Sequence, residues 1–517
     1  MKKEHTPYRI QRALISVFDK TDIVPFAKSL HDAGIELLST GGTAQALSKA
    51  GIPVTEIAEY TKYPEMLEGR VKTLHPKVHG GLLYKRGVAS HESTVAENNI
   101  PPIDLLVVNL YPFESTRAKK DATHEEIIEH IDIGGPAMLR SAAKNFDAVT
   151  VVVDPSDYKN VLQEIGITGS TTYETRIRLA GKVFATTATY DAAIARYFAE
   201  TEARIPTELT VFSPQIQVLR YGENPHQSAG LYGKFNEYYQ QLHGKELSYN
   251  NILDLTAATE IMLEFTDGAP TVVILKHMNP CGVGTGSTPV EAWRRAFATD
   301  TQAPFGGIIA VNVCVDESLA LEIREIFSEV IIAPGFTDAA LAVLTKKKNL
   351  RLMVLRKDPR DTTIRVRSVG AESYVAQTPD NKELHVEDVT VVSKRVPSEA
   401  EMRALLFAWK IAHHVKSNAI IFANEHQTLG IGAGQMSRID STRIAVTKAN
   451  DVGLSLQGSA LASDAFFPFP DGVIAAHAAG ATAVIQPGGS LKDVEVIAAA
   501  DERDMAMVFT HIRHFKH

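Results

Sequence analysis

Two cysteines, Cys281 and Cys314, are all that 517 residues contain, so no disulfide framework holds this chain and a reducing compartment is its natural setting. Long hydrophobic runs are missing as well. Apolar runs such as Leu105 to Leu110 and Val272 to Leu275 have the length of strands and fall far short of a membrane span. An excess of positive charge is also absent: a net charge of -8 disfavours general attraction to nucleic acid, while leaving room for a local basic pocket for one phosphorylated ligand. Met1 to Arg12 is polar and charged, without an apolar stretch of the signal-peptide type. The expectation is a cytoplasmic protein with no membrane or nucleic-acid partner. No low-complexity tract occurs, and a hydrophobic fraction of 44% beside 22% charge is that of an ordinary globular chain, which excludes extensive disorder. The length exceeds what one hydrophobic core sustains, so two or more domains are expected.

What is present is an alternation of apolar runs with helical patterns. Ala13 to Val17, Ile35 to Leu38, Leu105 to Leu110 and Val149 to Val153 read as strands, with helices from about Thr21 and from Thr43. Strand and helix in alternation imply an α/β fold with a parallel sheet covered by helices. Ile23, Phe26, Ala27 and Leu30 recur at three- and four-residue steps, which gives the first helix one apolar face, and Gly34 stops it. The stretch from Tyr197 to Phe212 turns from helical to extended around Pro206, which places a domain boundary near residue 200. Beyond it, Val272 to Leu275, Ile308 to Val311, Val330 to Ile332, Ala419 to Phe422, Ala483 to Ile485 and Met507 to Phe509 are further buried-strand candidates. The second domain is therefore α/β too, and no close repeat of solenoid type is visible.

In the first domain, Ser39, Thr40, Gly41, Gly42 and Thr43 lead from a strand into a helix. Paired glycines let backbone approach a ligand, hydroxyls donate hydrogen bonds, and free N–H groups at a helix start attract an anion; a strand-to-helix turn capped by Thr43 would read alike. The segment GRVKTLHPKVHGG collects Arg70, Lys72, His75, Lys77 and His79, which alone would be a solvated basic loop. Asn109, Tyr111 and Phe113 follow an apolar strand, where ligands sit in open α/β sheets, and IDIGGPAMLRSAAKN adds Asp132, Gly134, Gly135, Arg140 and Lys144. Lysines, a phenol and a carboxylate can bind phosphate and move protons without a metal. In order, SVFDKT, STGGTA, GRVKTLHP, NLYPF and IDIGGPAMLRSAAKN resemble the cyclohydrolase domain of the bifunctional purine biosynthesis family. LRYGENPHQ, LKHMNPCG, APFGGI, IGAGQMSRID, SDAFFPFPD and the terminal IRHFKH resemble its formyltransferase domain, so the likeness spans essentially the whole chain.

The resemblance implies a methylglyoxal-synthase-like parallel-sheet domain, residues 1–200, followed by a formyltransferase domain of two cytidine-deaminase-like α/β subdomains, residues 201–517. It implies transfer of a formyl group from 10-formyltetrahydrofolate to the 5-amino group of an aminoimidazole carboxamide ribotide, AICAR, and closure of the product to inosine monophosphate, IMP, with loss of water. For closure it points to Lys72, Tyr111, Asp132 and Lys144, with acid and base unassigned among them, and to Ser16, Lys20, Ser39, Thr40, Gly41, Gly42, Thr43, Arg70, Thr73, Asn109, Gly134 and Gly135 as nucleotide ligands. For transfer, Lys276 and His277 follow the strand TVVIL. The aromatic amine is a poor nucleophile, so His277 is read as its base and Lys276 as oxyanion partner and acid. Adjacent strand residues face opposite ways, so a common site demands that the strand end or bend at this pair. Asn418 matches a residue that stabilises the oxyanion in the family. Arg220, Tyr221, Asn251, Phe305, Gly306, Glu329, Arg438, Phe466, Asp471, Arg513 and His517 would line the nucleotide and folate sites, while core packing would claim at least one of Phe466, Phe467 and Phe469.

A homodimer with sites shared between subunits comes with the family, and a monovalent cation is a candidate support for the second domain. Phe18, Asp22, Met278 and Glu329 depart from the family's pattern and leave local contacts open. Two other enzymes are weighed. A zinc deaminase needs a second cysteine three positions after Cys281, where Gly284 stands, so no zinc is expected. A nicotinamide dehydrogenase needs GxGxxG, whereas Gly282, Gly284 and Gly286, like Gly430, Gly432 and Gly434, merely alternate. A noncatalytic nucleotide sensor fused to a transferase is the remaining alternative for the first domain.

Overall fold

The computed structural model describes residues 8–119, 121–200, 205–266, 268–360 and 364–517, so 1–7 of the polar amino-terminal stretch and 201–204 of the boundary stretch lie outside it. The chain divides into two compact units, Met1–Ser213 and Pro214–His517. Among the described residues no helix is long and apolar enough to cross a membrane.

In the first unit five parallel strands, β1 (Arg12–Val17), β2 (Glu36–Ser39), β3 (Thr55–Glu56), β4 (Leu105–Asn109) and β5 (Thr150–Val152), lie in the order β3-β2-β1-β4-β5. Their aliphatic side chains are buried, as expected of a sheet covered on both faces. Helix Ile23–Asp32 lays Ile23, Phe26, Ala27 and Leu30 on it, and Gly34 with φ 81° turns the chain out of the helix. Asp22 also holds a left-handed φ of 53°. Aspartate tolerates that region better than most side chains. After β1 the chain leaves toward β2, and after β4 toward β5. The crevice at the carboxyl ends of these two neighbours is where open α/β sheets bind ligands.

The second unit opens with a hairpin of β6 (Gln215–Leu219) and β7 (Ala229–Tyr232). It then builds two six-stranded sheets. The first comprises β8 (Tyr239–His243), β9 (Thr271–Lys276), β10 (Asn279–Thr285), β11 (Gly307–Val311), β12 (Ser328–Ala333) and β13 (Arg351–Leu355), ordered β10-β9-β11-β12-β13-β8. An exposed hairpin of β14 (Arg365–Gly370) and β15 (Ser373–Gln377) follows. The second sheet comprises β16 (Thr390–Val391), β17 (Ile420–Ala423), β18 (Thr428–Gly432), β19 (Ala460–Ser463), β20 (Ala483–Gln486) and β21 (Ala506–Phe509), ordered β18-β17-β19-β20-β21-β16. The two topologies coincide: an antiparallel hairpin, three mutually parallel strands and an antiparallel edge strand.

Alternation along the strands explains the layering. Val273 and Leu275 of β9 point inward to a core shared with helices Tyr249–Met262 and Glu399–Ala412, whereas Val272 and Ile274 point outward to another helical layer. The second sheet divides its side chains likewise, giving five layers in all. The alternating glycines serve this packing. A Cβ on Gly284 would come within 2.5 Å of the Ala292 carbonyl oxygen, and one on Gly432 would strike that of Ser441, so each strand lies flush against its helix.

Candidate active sites

At the carboxyl edge of the first sheet, Ser16 and Thr40 share a hydrogen bond of 2.8 Å across β1 and β2. Two of the expected ligands are occupied by the backbone. The buried Ser39 hydroxyl donates to the Ile15 carbonyl at 2.7 Å, and Thr43 Oγ1 donates to the Val17 carbonyl at 3.0 Å while accepting from its N–H at 3.1 Å. Asn109 Oδ1 accepts from Phe18 and Asp19 N–H at 2.6 and 3.0 Å, which shapes the loop after β1, and Lys20 donates to the Phe18 carbonyl at 3.3 Å. Phe18 packs edge-on against Tyr111 at 5.7 Å.

The basic segment divides by role. His75 caps its helix through Nδ1, Lys77 donates to the Tyr60 carbonyl at 2.7 Å, His79 pairs with Ser141 at 2.9 Å, and Arg70 pairs with Glu129. Lys72 alone of the five turns to the cradle. Its ammonium approaches Gly41, pairs with Glu65 at 2.7 Å and lines a small cavity with Ser39, Thr40, Gly41 and Tyr63. The next residue, buried Thr73, lies against Gly134. Asp132 accepts from Gly135 N–H at 2.8 Å, and a Cβ on Gly135 would come within 2.9 Å of its Cγ. Burial raises the Asp132 carboxyl above the usual carboxylate range, partly offset by the Gly135 and Tyr111 N–H groups. Tyr190, which the sequence did not single out, donates to the His130 carbonyl at 2.9 Å and accepts from Asp132 N–H at 2.8 Å. Lys144 is not brought into this cluster. It ends helix Gly134–Lys144, about 15 Å along the axis from Gly134. There it lines a mainly apolar cavity with Arg140, Phe146, Ile177 and Phe184.

In the second unit β9 ends at Lys276 and β10 begins at Asn279, which pairs with it. His277 and Met278 form a two-residue turn with φ of 52° and 62°. The strand thus ends at the Lys276–His277 pair, as a common site requires. Two consecutive left-handed residues without glycine cost backbone energy, and Asp254 opposes that cost. Its carboxylate accepts from Met278 N–H at 2.8 Å and also from that of His277. Burial raises the Asp254 carboxyl, with these hydrogen bonds working against the rise. Lys276 donates to the Phe305 carbonyl at 2.7 Å, which brings the backbone of Phe305 and Gly306 beside it; the Phe305 ring is exposed. Asn279 Oδ1 accepts from Lys416 N–H at 3.1 Å, tying the hairpin to the segment that carries Asn418. Asn418 gives both its backbone N–H and its amide to the Gln435 carbonyl, at 3.1 and 2.9 Å.

Other expected ligands are anchored in several ways. Asn251 completes a capping box with Ser248. Glu329 pairs with the buried Arg351. Arg438, buried, pairs with Asp464 and donates to the Ser463 hydroxyl and the Phe466 carbonyl at 3.0 and 2.9 Å. The Phe515 ring meets both Arg438 and Arg513, at 6.0 and 4.4 Å, which gathers the carboxy terminus beside the loop at Phe466; His517 stacks near Phe515 at 5.7 Å. Arg220 lies over Tyr221 at 5.5 Å. Phe467 is fully buried, as expected of one of the three aromatics, whereas Phe469 is exposed. Asp471 accepts from Gly472 N–H at the start of its helix. Cys281 lines a small cavity with Asp300 and Lys448, and burial pushes its thiol up to about 12. Among the described residues, no side-chain group able to converge on a metal contains a cysteine.

An MGS-like domain model matches residues 22–137, and the model of the AICARFT/IMPCHase bienzyme matches residues 142–448. The chain is 54% identical over 520 residues to the bifunctional purine biosynthesis protein PurH of Chlorobium chlorochromatii, covering 98% of this chain and 99% of the relative. The PurH of Chloroflexus aurantiacus is 55% identical over 511 residues with the same coverage. With strand, turn and loop motifs matched along both units, the chain belongs to the PurH family of bifunctional purine biosynthesis proteins.

Proposed function

We propose that the two activities of this bifunctional enzyme, AICAR formyltransferase and IMP cyclohydrolase, are divided between its two units. Formyl transfer is assigned to the second, with 10-formyltetrahydrofolate as donor. The supporting observation is the hairpin turn at Lys276 and His277, which delivers an ammonium and an imidazole from two successive residues beside the Phe305 backbone. The amine nitrogen attacks the formyl carbon while His277 accepts its proton. The tetrahedral oxyanion is stabilised by Lys276 and Asn418, the bond to folate N10 breaks, and Lys276 protonates the departing nitrogen. Arg438, Arg513, Arg220 and Tyr221 serve the ribotide, and Phe305, Phe466 and Asp471 serve the nucleotide or the folate.

Ring closure is assigned to the first unit. The carboxamide nitrogen attacks the new formyl carbon and water leaves, so protons must be taken up and delivered in one place. Asp132 suits that demand, because its buried carboxyl holds a proton more readily than usual. Lys72 and the Thr40–Gly42 turn serve the phosphate. A homodimer fits the exposed β14–β15 hairpin, where Val369, Tyr374 and Val375 face solvent, the scarcity of cysteine favours the cytoplasm, and sites completed between subunits would give Lys144 a route to the chemistry. Lys276→Ala and His277→Ala should abolish formyl transfer and leave closure of the formylated ribotide intact. Equal loss of both in a folded variant contradicts the division.

A further inference from the structure

We propose that Asp380, His413 and His514 bind a divalent first-row transition-metal ion of the zinc class, clipping the carboxy-terminal segment onto the end of helix Glu399–Ala412. The three residues come from the segment after β15, from the residue following that helix and from the terminal strand-to-end segment. One carboxylate oxygen of Asp380 faces both imidazoles: Oδ2 lies 2.6 Å from His514 Nδ1 and 3.3 Å from His413 Nε2. All three donor atoms fall within 4.8 Å of one another, and the two rings stack at 4.0 Å. Tetrahedral zinc with bonds of about 2.0–2.1 Å separates its ligands by about 3.3 Å, so the His413 spacing already fits and the His514 hydrogen bond must open by several tenths of an ångström as its proton leaves. Two imidazoles and a carboxylate select zinc, cobalt or nickel over magnesium or calcium. A cavity of about 380 Å3 lined by Asp380, His413, His414 and Glu264 gives an ion access and room for a water ligand.

The site contains none of the groups assigned to either reaction, and it uses no cysteine. Its place in the fold links it to the transferase nonetheless. His514 sits between Arg513 and Phe515, and its N–H donates to the carbonyl of Asp464, the partner of Arg438. His413 leads directly to the Ser417–Asn418 turn. An ion here fixes the terminal arm that carries proposed nucleotide ligands.

Titration of the full-length protein with cobalt(II) is expected to give a visible absorption band that saturates at one equivalent per chain, lacks thiolate charge transfer and disappears on adding zinc. His413→Asn, and independently Asp380→Asn at its half-exposed position, should each weaken binding about tenfold or more. Each should also remove the zinc-induced rise in melting temperature expected of the unsubstituted protein. Cys314→Ser should change neither readout. A missing band, a band that survives both substitutions, or one lost in Cys314→Ser overturns the proposal. None of these results bears on formyl transfer by Lys276 and His277, which is assayed separately.

Discussion

Removing the Asp254 carboxylate tests how the transferase turn is held. Asp254→Ala deletes the acceptor for the N–H groups of His277 and Met278, the two residues with φ of 52° and 62°. Hydrogen bonds to a charged acceptor contribute about 1.5–3 kcal/mol each, while left-handed backbone costs roughly 1–2 kcal/mol per non-glycine residue. Without the acceptor the turn relaxes toward ordinary backbone angles, and His277 loses its place beside Lys276. Taking about 2 kcal/mol as the loss of orientation, transfer slows about thirtyfold at 1.36 kcal/mol per decade of rate. Asp254→Asn keeps one acceptor oxygen and should recover part of the loss. Tetrahydrofolate release measures transfer, and closure of the formylated ribotide, assayed on the same preparation, serves as internal control. Transfer within twofold of the parent rate in Asp254→Ala, or a parallel fall in closure, would refute the positioning role.

Gly135→Ala should abolish ring closure and spare transfer, since the new methyl is forced against the Asp132 carboxylate; separate assays of the two half-reactions check it. Thr43→Val leaves the Val17 N–H and carbonyl without their partner and should cost about 1–3 kcal/mol of stability, measured by denaturant unfolding. Glu401 receives Arg395 through both carboxylate oxygens, together with Ser398 N–H and the Thr482 hydroxyl, which hold it down at about 2 against an ordinary 4.5. A depressed carboxyl contributes stability fully present above the unfolded value and lost as pH falls from about 4.5 to about 2. Glu401→Gln should flatten that part of the acid unfolding curve and cost on the order of 2 kcal/mol at neutral pH.

Most of the scaffold is legible in the chain because its strands are unbroken aliphatic runs between turn residues. The burial of Val272 to Leu275 and Ile308 to Val311 needs no partner to be recognised. The shared topology of the two sheets leaves one trace in the chain, the alternating glycines of β10 and of its counterpart β18; the rest is not legible, since a core accepts any aliphatic of suitable volume. Ser39 and Thr43 show another limit: a hydroxyl beside a phosphate cradle and one that secures a strand end have the same sequence. Asp254 could have been found. Asn251, Asp254, Leu255, Ala258 and Met262 share one helical stripe, and an acid among buried positions asks for a partner. The partners of Asp132 and Asn279 lie 58 and 137 positions away, so only the fold identifies Tyr190 and the Lys416 backbone. The alternating glycines excluded a dinucleotide fingerprint at once, while their use as flush strand–helix contacts required the packed helices.

Complementation between two single-site variants tests the division of labour most directly. His277→Ala and Asp132→Asn are each supplied with AICAR and 10-formyltetrahydrofolate, alone and mixed, and inosine monophosphate is quantified. Neither variant alone should form it, Asp132→Asn should accumulate the formylated ribotide, and the mixture should restore synthesis. Inosine monophosphate from His277→Ala alone, or none from a mixture of two folded variants, would contradict two separate sites.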